Sequence, residues 1–221
     1  MAETISNRMF VLGGSLIVNE HEKAVPSKRT VLREKTAIEY HDENREFFDP
    51  LEHPEAFIAL SGARDYHLRN HPKLKNFTEV DYYSQAFAAA GIPAVLHEGR
   101  KDPTAVDTAR NMINAVRFGF FEPASFSAES PLVIPIAPEP GRRVGAYWEA
   151  MGGDPDGLYL LETGEAVGRN EDYLYARTLD ALSGITPGSD VASLDALEAR
   201  VDAMVADIHH PDNAHYLQLA A

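Results

Sequence analysis

The chain has 221 residues and a formal net charge of -14 at pH 7, with 34 acidic residues against 20 lysines and arginines. Such an acidic surface repels phosphate backbones and anionic lipids, which argues against nucleic-acid and membrane-surface partners. The absence of cysteine excludes disulfides, zinc–thiolate centres, iron–sulfur clusters and a cysteine nucleophile. No apolar run is long enough to span a membrane and the N-terminus shows no signal-peptide pattern, so we expect a cytoplasmic protein.

The first quarter of the chain predicts two strands and a helix. The apolar run at residues 9–12 stops at two glycines, which predicts a first strand and a tight turn, while residues 16–18 either extend that strand or begin a loop. Ser27 follows a proline and is the candidate N-cap of a helix that runs to about Tyr40. A second strand is predicted at residues 56–60. The apolar positions of the helix are Val31, Leu32 and Ile38.

The next elements continue the alternation of helices and strands. Thr78 is the predicted N-cap of a helix that stops at Gly91, since glycine adopts the left-handed conformation that ends many helices. A third strand is predicted at residues 94–96 and a further helix at residues 107–116. The inward positions of the two helices recur at intervals of three and four residues. They are Val80, Tyr83, Phe87 and Ala90 in the first helix, and Ala109, Met112, Ile113 and Val116 in the second.

The second half of the chain predicts two strands and three helices. Residues 132–136 are dense in β-branched side chains, as in a parallel strand buried on both faces. A helix is predicted over residues 143–151 and a strand over residues 158–161. The helices predicted over residues 170–182 and 190–208 either cover the sheet or form a dimer interface.

This alternation predicts an α/β protein with a mostly parallel sheet and helices on both faces, a three-layer sandwich. We divide the chain into an α/β domain, residues 1–168, and a C-terminal helical extension, residues 169–221, which packs on the domain or forms an interface. Ligands of such sheets bind outside the carboxyl ends of the strands, so the residues that follow the strands are the candidate site.

The candidate site residues combine an open backbone, hydroxyls and carboxylates. The glycines after the first strand let backbone amides approach a phosphate or carboxylate, or simply turn the chain. Ser61 offers a hydrogen-bonding hydroxyl, but its neighbours do not form the glycine-flanked elbow of a nucleophile. Glu79 and Glu98 could form an acid/base pair, although a first-turn glutamate also suits the helix dipole. The predicted ligand-binding residues are Gly13, Gly14, Ser15, Ser61, Gly62, Glu79, Glu98, Thr108, Asn111 and Arg143.

The histidines do not form a metal motif. His67 and His71 have helical metal-ligand spacing, but Pro72 follows them in a segment that reads as a loop. We therefore predict no metal site and expect structural or surface roles for the histidines. Trp148, the only tryptophan, follows a tyrosine on a predicted helix, which indicates a packing role.

Several short motifs occur in a fixed order along residues 9–152. They are Val11-Leu12-Gly13-Gly14, Leu32-Arg33-x-Lys35-x-Ala37, Leu60-Ser61-Gly62, Thr78-Glu79, Gly91-Ile92-Pro93, Glu98 and Asp107-Thr108-x-x-Asn111. This order resembles the YdcF/SanA/ElyC-type family of bacterial proteins, long labelled a domain of unknown function. The resemblance implies a Rossmann-like fold with a cleft at the strand ends, and it implies S-adenosylmethionine as a ligand, since a YdcF-type member binds it. The family's histidine after strand four is missing, because the chain has Pro140-Gly141-Arg142-Arg143 there.

Three functions are consistent with these observations. The first is a binding protein for a nucleotide-like small molecule, with S-adenosylmethionine as the ligand that the resemblance implies. The second is a hydrolase or transferase for a phosphorylated or nucleotide substrate, in which Arg142 and Arg143 hold phosphate and Glu79 or Glu98 serves as base or metal ligand. The third is an interaction protein that uses its C-terminal helices, for example as a homodimer.

Overall fold

The computed structural model describes residues 6–13, 16–62, 78–98, 108–165 and 171–208. The predictions for Gly14, Ser15, His67, His71 and Asn170 lie outside these residues. The strands are β1 (Arg8–Val11), β2 (Leu16–Val18), β3 (Ala24–Pro26), β4 (Phe57–Gly62), β5 (Val95–Glu98), β6 (Leu132–Pro135) and β7 (Leu158–Leu161). The α-helices are α1 (Lys28–Glu43), α2 (Glu79–Ala89), α3 (Thr108–Arg117), α4 (Pro138–Ala150), α5 (Glu171–Leu182) and α6 (Val191–Ile208).

Five of the strands form one parallel sheet in the order β5-β4-β1-β6-β7. The chain builds outward from β1 to β5 and then returns to place β6 on the other side of β1, so the order reverses between β1 and β6. This reversal is the position at which doubly wound sheets bind ligands. The remaining strands, β2 and β3, form a small antiparallel hairpin between β1 and α1. The sequence did not predict β3, which is three residues long and ends in a proline.

Helices cover both faces of the sheet, as predicted, because successive strand side chains point to opposite faces. Met9 and Val11 of β1 pack in a cluster with Tyr83 and other residues of α1 and α2. Phe10 and Leu12 pack in a second cluster with residues of α3, α4 and α6. The protein is therefore a Rossmann-like three-layer sandwich, with one hydrophobic cluster on each face of the sheet.

The predicted helix ends are largely confirmed. The Ser27 hydroxyl accepts a hydrogen bond from the backbone of Thr30 at the start of α1. Thr78 and Asp81 form a reciprocal capping box at the start of α2, and Gly91 follows the helix with a φ of 72°. One helix was predicted too short: α4 begins at Pro138 and not at residue 143. Prolines fit the first turn of a helix, where backbone N–H groups lack intrahelical acceptors.

The inward face of α1 differs from the prediction. Its buried residues are Thr30, Arg33, Ala37 and His41, whereas Val31 is 41% exposed and Leu32 and Ile38 are only partly buried. The buried positions keep a spacing of three and four residues but include polar groups, which find partners nearby, as Thr30 does in Ser27, or far away in sequence, as Arg33 does in Glu165. In α2, Ala90 follows the helix and is exposed, while the other predicted inward residues are buried.

The C-terminal helices pack against the layer formed by α3 and α4. Leu194, Leu197 and Val201 of α6 belong to the same hydrophobic cluster as the inward residues of α3. Arg117 of α3 also donates a hydrogen bond from Nη1 to Oε2 of Glu198 on α6, at 2.7 Å. The apolar face of α6 is thus buried against other helices of the same chain. None of the helices in the described ranges is long and apolar enough to cross a membrane.

Candidate ligand site at the carboxyl edge of the sheet

The strand register brings several predicted site residues to one edge of the sheet. Leu60 of β4 pairs with Val11 of β1 on one side and with Leu96 of β5 on the other. Two residues further on, Gly62 pairs with the backbone of Glu98. Gly13 lies two residues beyond Val11, as Gly62 lies two residues beyond Leu60. The carboxyl ends of β1, β4 and β5 are therefore level.

The end of β1 is held by side chains from α1 and α2. Arg33 of α1 is buried, and its Nη1 donates to the carbonyl oxygens of Gly13 at 2.8 Å and Leu12 at 3.3 Å. The hydroxyl of Tyr83 on α2 also donates to the carbonyl of Leu12, at 3.2 Å. Burial raises the pKa of Tyr83 well above its usual value, so the phenol stays a neutral donor. These bonds fix the backbone that enters the predicted glycine turn.

A carboxylate from the far end of the sheet completes this cluster. Glu165, which follows β7, accepts hydrogen bonds from Nε and Nη2 of Arg33 at 3.0 and 2.8 Å. Its Oε1 also accepts from the backbone N–H of Ala137, the N-cap of α4, at 3.4 Å, and lies 3.9 Å from Nε of Arg29. Helix N-termini at this point of the fold are the usual place for a ligand phosphate. Here the chain supplies its own anion, which a phosphate would have to displace.

Charge on the α1–α2 face is concentrated around Arg33. Glu79 lies in the first turn of α2 and is buried. Burial lowers the pKa of Arg33, but the hydrogen bonds that Arg33 donates to Glu165 and the negative charges of Glu165 and Glu79 outweigh it, so that pKa lies above its usual value. The guanidinium is therefore permanently charged and fully committed to the cluster.

On the opposite face of the sheet, two of the predicted site residues each carry a buried oxygen atom without a hydrogen-bond partner in the described chain. Ser61 is fully buried and, two residues beyond Ala59, points to the α3 side of β4. Asn111 lies in the first turn of α3 and is 7% exposed. Within the described part of the chain, neither Ser61 Oγ nor Asn111 Oδ1 has a hydrogen-bond partner. An unsatisfied buried oxygen costs about 1–3 kcal/mol, so both positions suit a ligand donor. Thr108, the first residue of α3, is half-buried and precedes Asn111 by three residues.

Arg143 is engaged elsewhere. Its Nε donates to Oε2 of Glu171 on α5 at 3.1 Å, and Nη2 of the neighbouring Arg142 donates to Oδ1 of Asp172 at 2.6 Å. A phosphate held by these arginines would have to compete with two carboxylates of the chain.

Two polar side chains of this edge were missed at the sequence level. Glu165 and Thr163 follow β7, in a segment where the sequence shows no motif, and both are buried. Thr163 Oγ1 is a third buried oxygen without a hydrogen-bond partner among the residues described. One signal was available: Arg33 and Ala37 are spaced as inward positions of a helix, and a buried arginine requires an acidic partner. The sequence does not say which acid.

The sheet order and the polar carboxyl edge define a Rossmann-like α/β protein with a candidate small-molecule site. Comparison with known protein families, with curated proteins and with solved structures finds nothing that matches this chain. The resemblance to the YdcF/SanA/ElyC-type family therefore stays a prediction. Among the described residues, no group of three histidine, aspartate or glutamate side chains is placed to hold a metal ion.

Proposed function

We propose that the protein binds a nucleotide-like small molecule at the carboxyl edge of its sheet. The observation that carries the proposal is the pair of buried oxygens at Ser61 and Asn111, which have no partner in the described chain. The amide oxygen of Asn111 can only accept, so the ligand must present a donor, such as a ribose hydroxyl or an exocyclic amine. Both residues stand at the ends of elements that begin or end at this edge.

The anion already present at the edge disfavours a phosphate. Glu165 lies against the N-terminus of α4, where a phosphate would otherwise bind, and it is held there by Arg33. S-adenosylmethionine, the ligand that the family resemblance implies, has the required chemistry. It carries ribose hydroxyls, an adenine amino group, an ammonium and a sulfonium cation. When bound it would supply an activated methyl group, but the proposal concerns binding alone.

The two rival functions have less support. A phosphate-processing hydrolase or transferase relies on Arg142 and Arg143, and both are paired with carboxylates of α5. An interaction protein relies on the C-terminal helices, and the apolar face of α6 is buried against its own chain. A homodimer and a cytoplasmic location remain predictions from the sequence.

Isothermal titration calorimetry with four probes tests the proposal. We expect S-adenosylmethionine to bind, S-adenosylhomocysteine to bind more weakly because it lacks the sulfonium charge, and ATP and inorganic phosphate to give no heat. Ser61→Ala and Asn111→Leu should each weaken binding at least about tenfold, which corresponds to one lost hydrogen bond to a buried group. Lys35→Ala, at an exposed position of α1, is the matched control. Unchanged affinity in both site variants, or no heat from either sulfur compound, would overturn the proposal.

A further inference from the structure

A groove lies at the β7 side of the sheet, and the residues that line it do not include Ser61 or Asn111. It runs between α4, the edge strand β7, α5 and the segment that follows α5, and its volume is about 840 Å³. Small-molecule sites usually occupy about 300–1,000 Å³, so the groove has the size of a ligand site. Its floor is apolar and is formed by Ile136, Leu160, Leu182 and Ile185.

The polar rim of the groove is acidic. Glu149 of α4 and Glu162, just after β7, both line it and are exposed. Neither carboxylate forms an ion pair with another residue in the described ranges. Arg142, a cation that also lines the groove, is bound to Asp172 and lies 4.7 Å above the ring of Tyr175. As far as the described residues go, the groove therefore presents two carboxylates without an ion-pair partner beside an apolar floor.

At one position of α4 the groove reaches the helix backbone, because the residue there is a glycine without a side chain. Gly145 lines it, and a Cβ atom added there would meet nothing within 4 Å. One turn earlier the situation is different, since a Cβ atom on Gly141 would lie 2.8 Å from Cδ1 of Leu160. Gly145 thus faces open space inside the groove, and a side chain at this position would occupy that space.

We propose that this groove binds a small amphiphilic cation, namely an amine with an aliphatic or aromatic body. The apolar body lies on the floor around Leu160 and Ile185, where it is removed from water. The ammonium lies at the rim, where Glu149 and Glu162 select a cation over an anion. Neither Ser61 nor Asn111 lines the groove, so this proposal does not rest on those two residues.

Three probes of equal length test the chemistry of the groove: hexylamine, 1-hexanol and hexanoate. In an NMR titration of the full chain, we expect hexylamine to shift the amide signals of Gly141, Gly145 and Leu160. We expect its affinity to exceed that of hexanoate at least tenfold, with 1-hexanol between them. Equal affinities for hexylamine and hexanoate, or shifts confined to other parts of the chain, would overturn the proposal.

Variants separate the apolar floor from the acidic rim. Gly145→Leu should fill the groove and abolish the shifts, while Gly145→Ala, which adds only the Cβ atom, should keep them. The double variant Glu149→Gln with Glu162→Gln should bind 1-hexanol as before and lose the preference for hexylamine. If Gly145→Leu fails to fold, the double variant decides alone, because both of its positions are exposed. Retention of the amine preference in that variant would contradict the assignment.

Discussion

Glu165 and Arg33 form a buried two-bond ion pair although 132 residues separate them in sequence. Their side chains are 1% and 3% exposed. Through this contact, the segment after the edge strand β7 is tied to α1 and, by the bonds from Arg33 to Leu12 and Gly13, to the end of the central strand β1. The pair thus fixes the backbone at the point where the strand order reverses.

Removal of one partner should be costly, because it leaves an uncompensated charge in the interior. We expect Glu165→Ala to lower the free energy of unfolding by about 3–5 kcal/mol, measured by urea denaturation. The control is Glu39→Ala, which breaks an exposed pair with Lys35 at 3.6 Å and should cost less than about 1 kcal/mol. The double variant Arg33→Met with Glu165→Leu should cost less than the sum of the single variants. Equal losses for Glu165→Ala and Glu39→Ala would show that the ion pair is not structural.

The unpartnered hydroxyl of Ser61 should contribute nothing to stability. Ser61→Ala removes no hydrogen bond within the described chain, so we expect the free energy of unfolding to stay within about 0.5 kcal/mol or to rise. Thr178→Val is the contrast: this equally buried hydroxyl donates to the carbonyl of Leu174 at 2.9 Å and contacts the Tyr147 hydroxyl at 3.1 Å. Its removal should cost about 1–3 kcal/mol. A similar cost for both variants would mean that Ser61 has a partner inside the protein.

The sequence predicted those parts of the fold that depend on local signals. The parallel strands, the caps at Ser27 and Thr78 and the stop at Gly91 follow from the apolar pattern and from backbone chemistry, and the structure contains them. The face of α1 could not be predicted in this way, because Arg33 is turned inward by Glu165, and an apolar pattern does not record a distant partner.

The sequence predicted which strand ends lie together, but not the faces of the sheet on which the side chains lie. Parallel strands bring their carboxyl ends to one edge, so Gly62 and the backbone of Glu98 lie together as expected. The sequence does not reveal which face each side chain takes, since a shift of one residue exchanges the faces. In the structure, Glu79 belongs to the α1–α2 face, whereas Ser61 points to the α3 side.

Stability at low pH should depend on the cap of α6. The pKa of Asp190 lies below its usual value, first because the Ser193 hydroxyl donates to Oδ2 at 2.7 Å, and also because backbone N–H groups of Ser193 and Ala192 donate to Oδ1. A lowered carboxylate pKa stabilises the fold above the unfolded value of about 3.9 and loses that effect as the pH falls through the folded value. The stability difference between the parent chain and Asp190→Asn should therefore narrow below about pH 4. A difference in the free energy of unfolding that stays constant from pH 7 to pH 2.5 would contradict the stabilising role of the Asp190 carboxylate.

Two glycines with opposite surroundings give a matched test of packing around the only tryptophan. A Cβ atom on Gly153 would overlap Nε1 and Cε2 of Trp148, whose indole is fully buried and donates to the carbonyl of Asp154 at 2.7 Å. Since the ring cannot move without breaking that bond, Gly153→Ala should lower the free energy of unfolding by about 1–3 kcal/mol and shift the tryptophan emission. Gly145→Ala meets open space within α4 and should instead raise the free energy of unfolding by about 0.5–1 kcal/mol, with unchanged emission. Urea denaturation followed by tryptophan fluorescence measures both quantities, and a Gly153→Ala variant as stable as the parent chain would show that the indole has room to move.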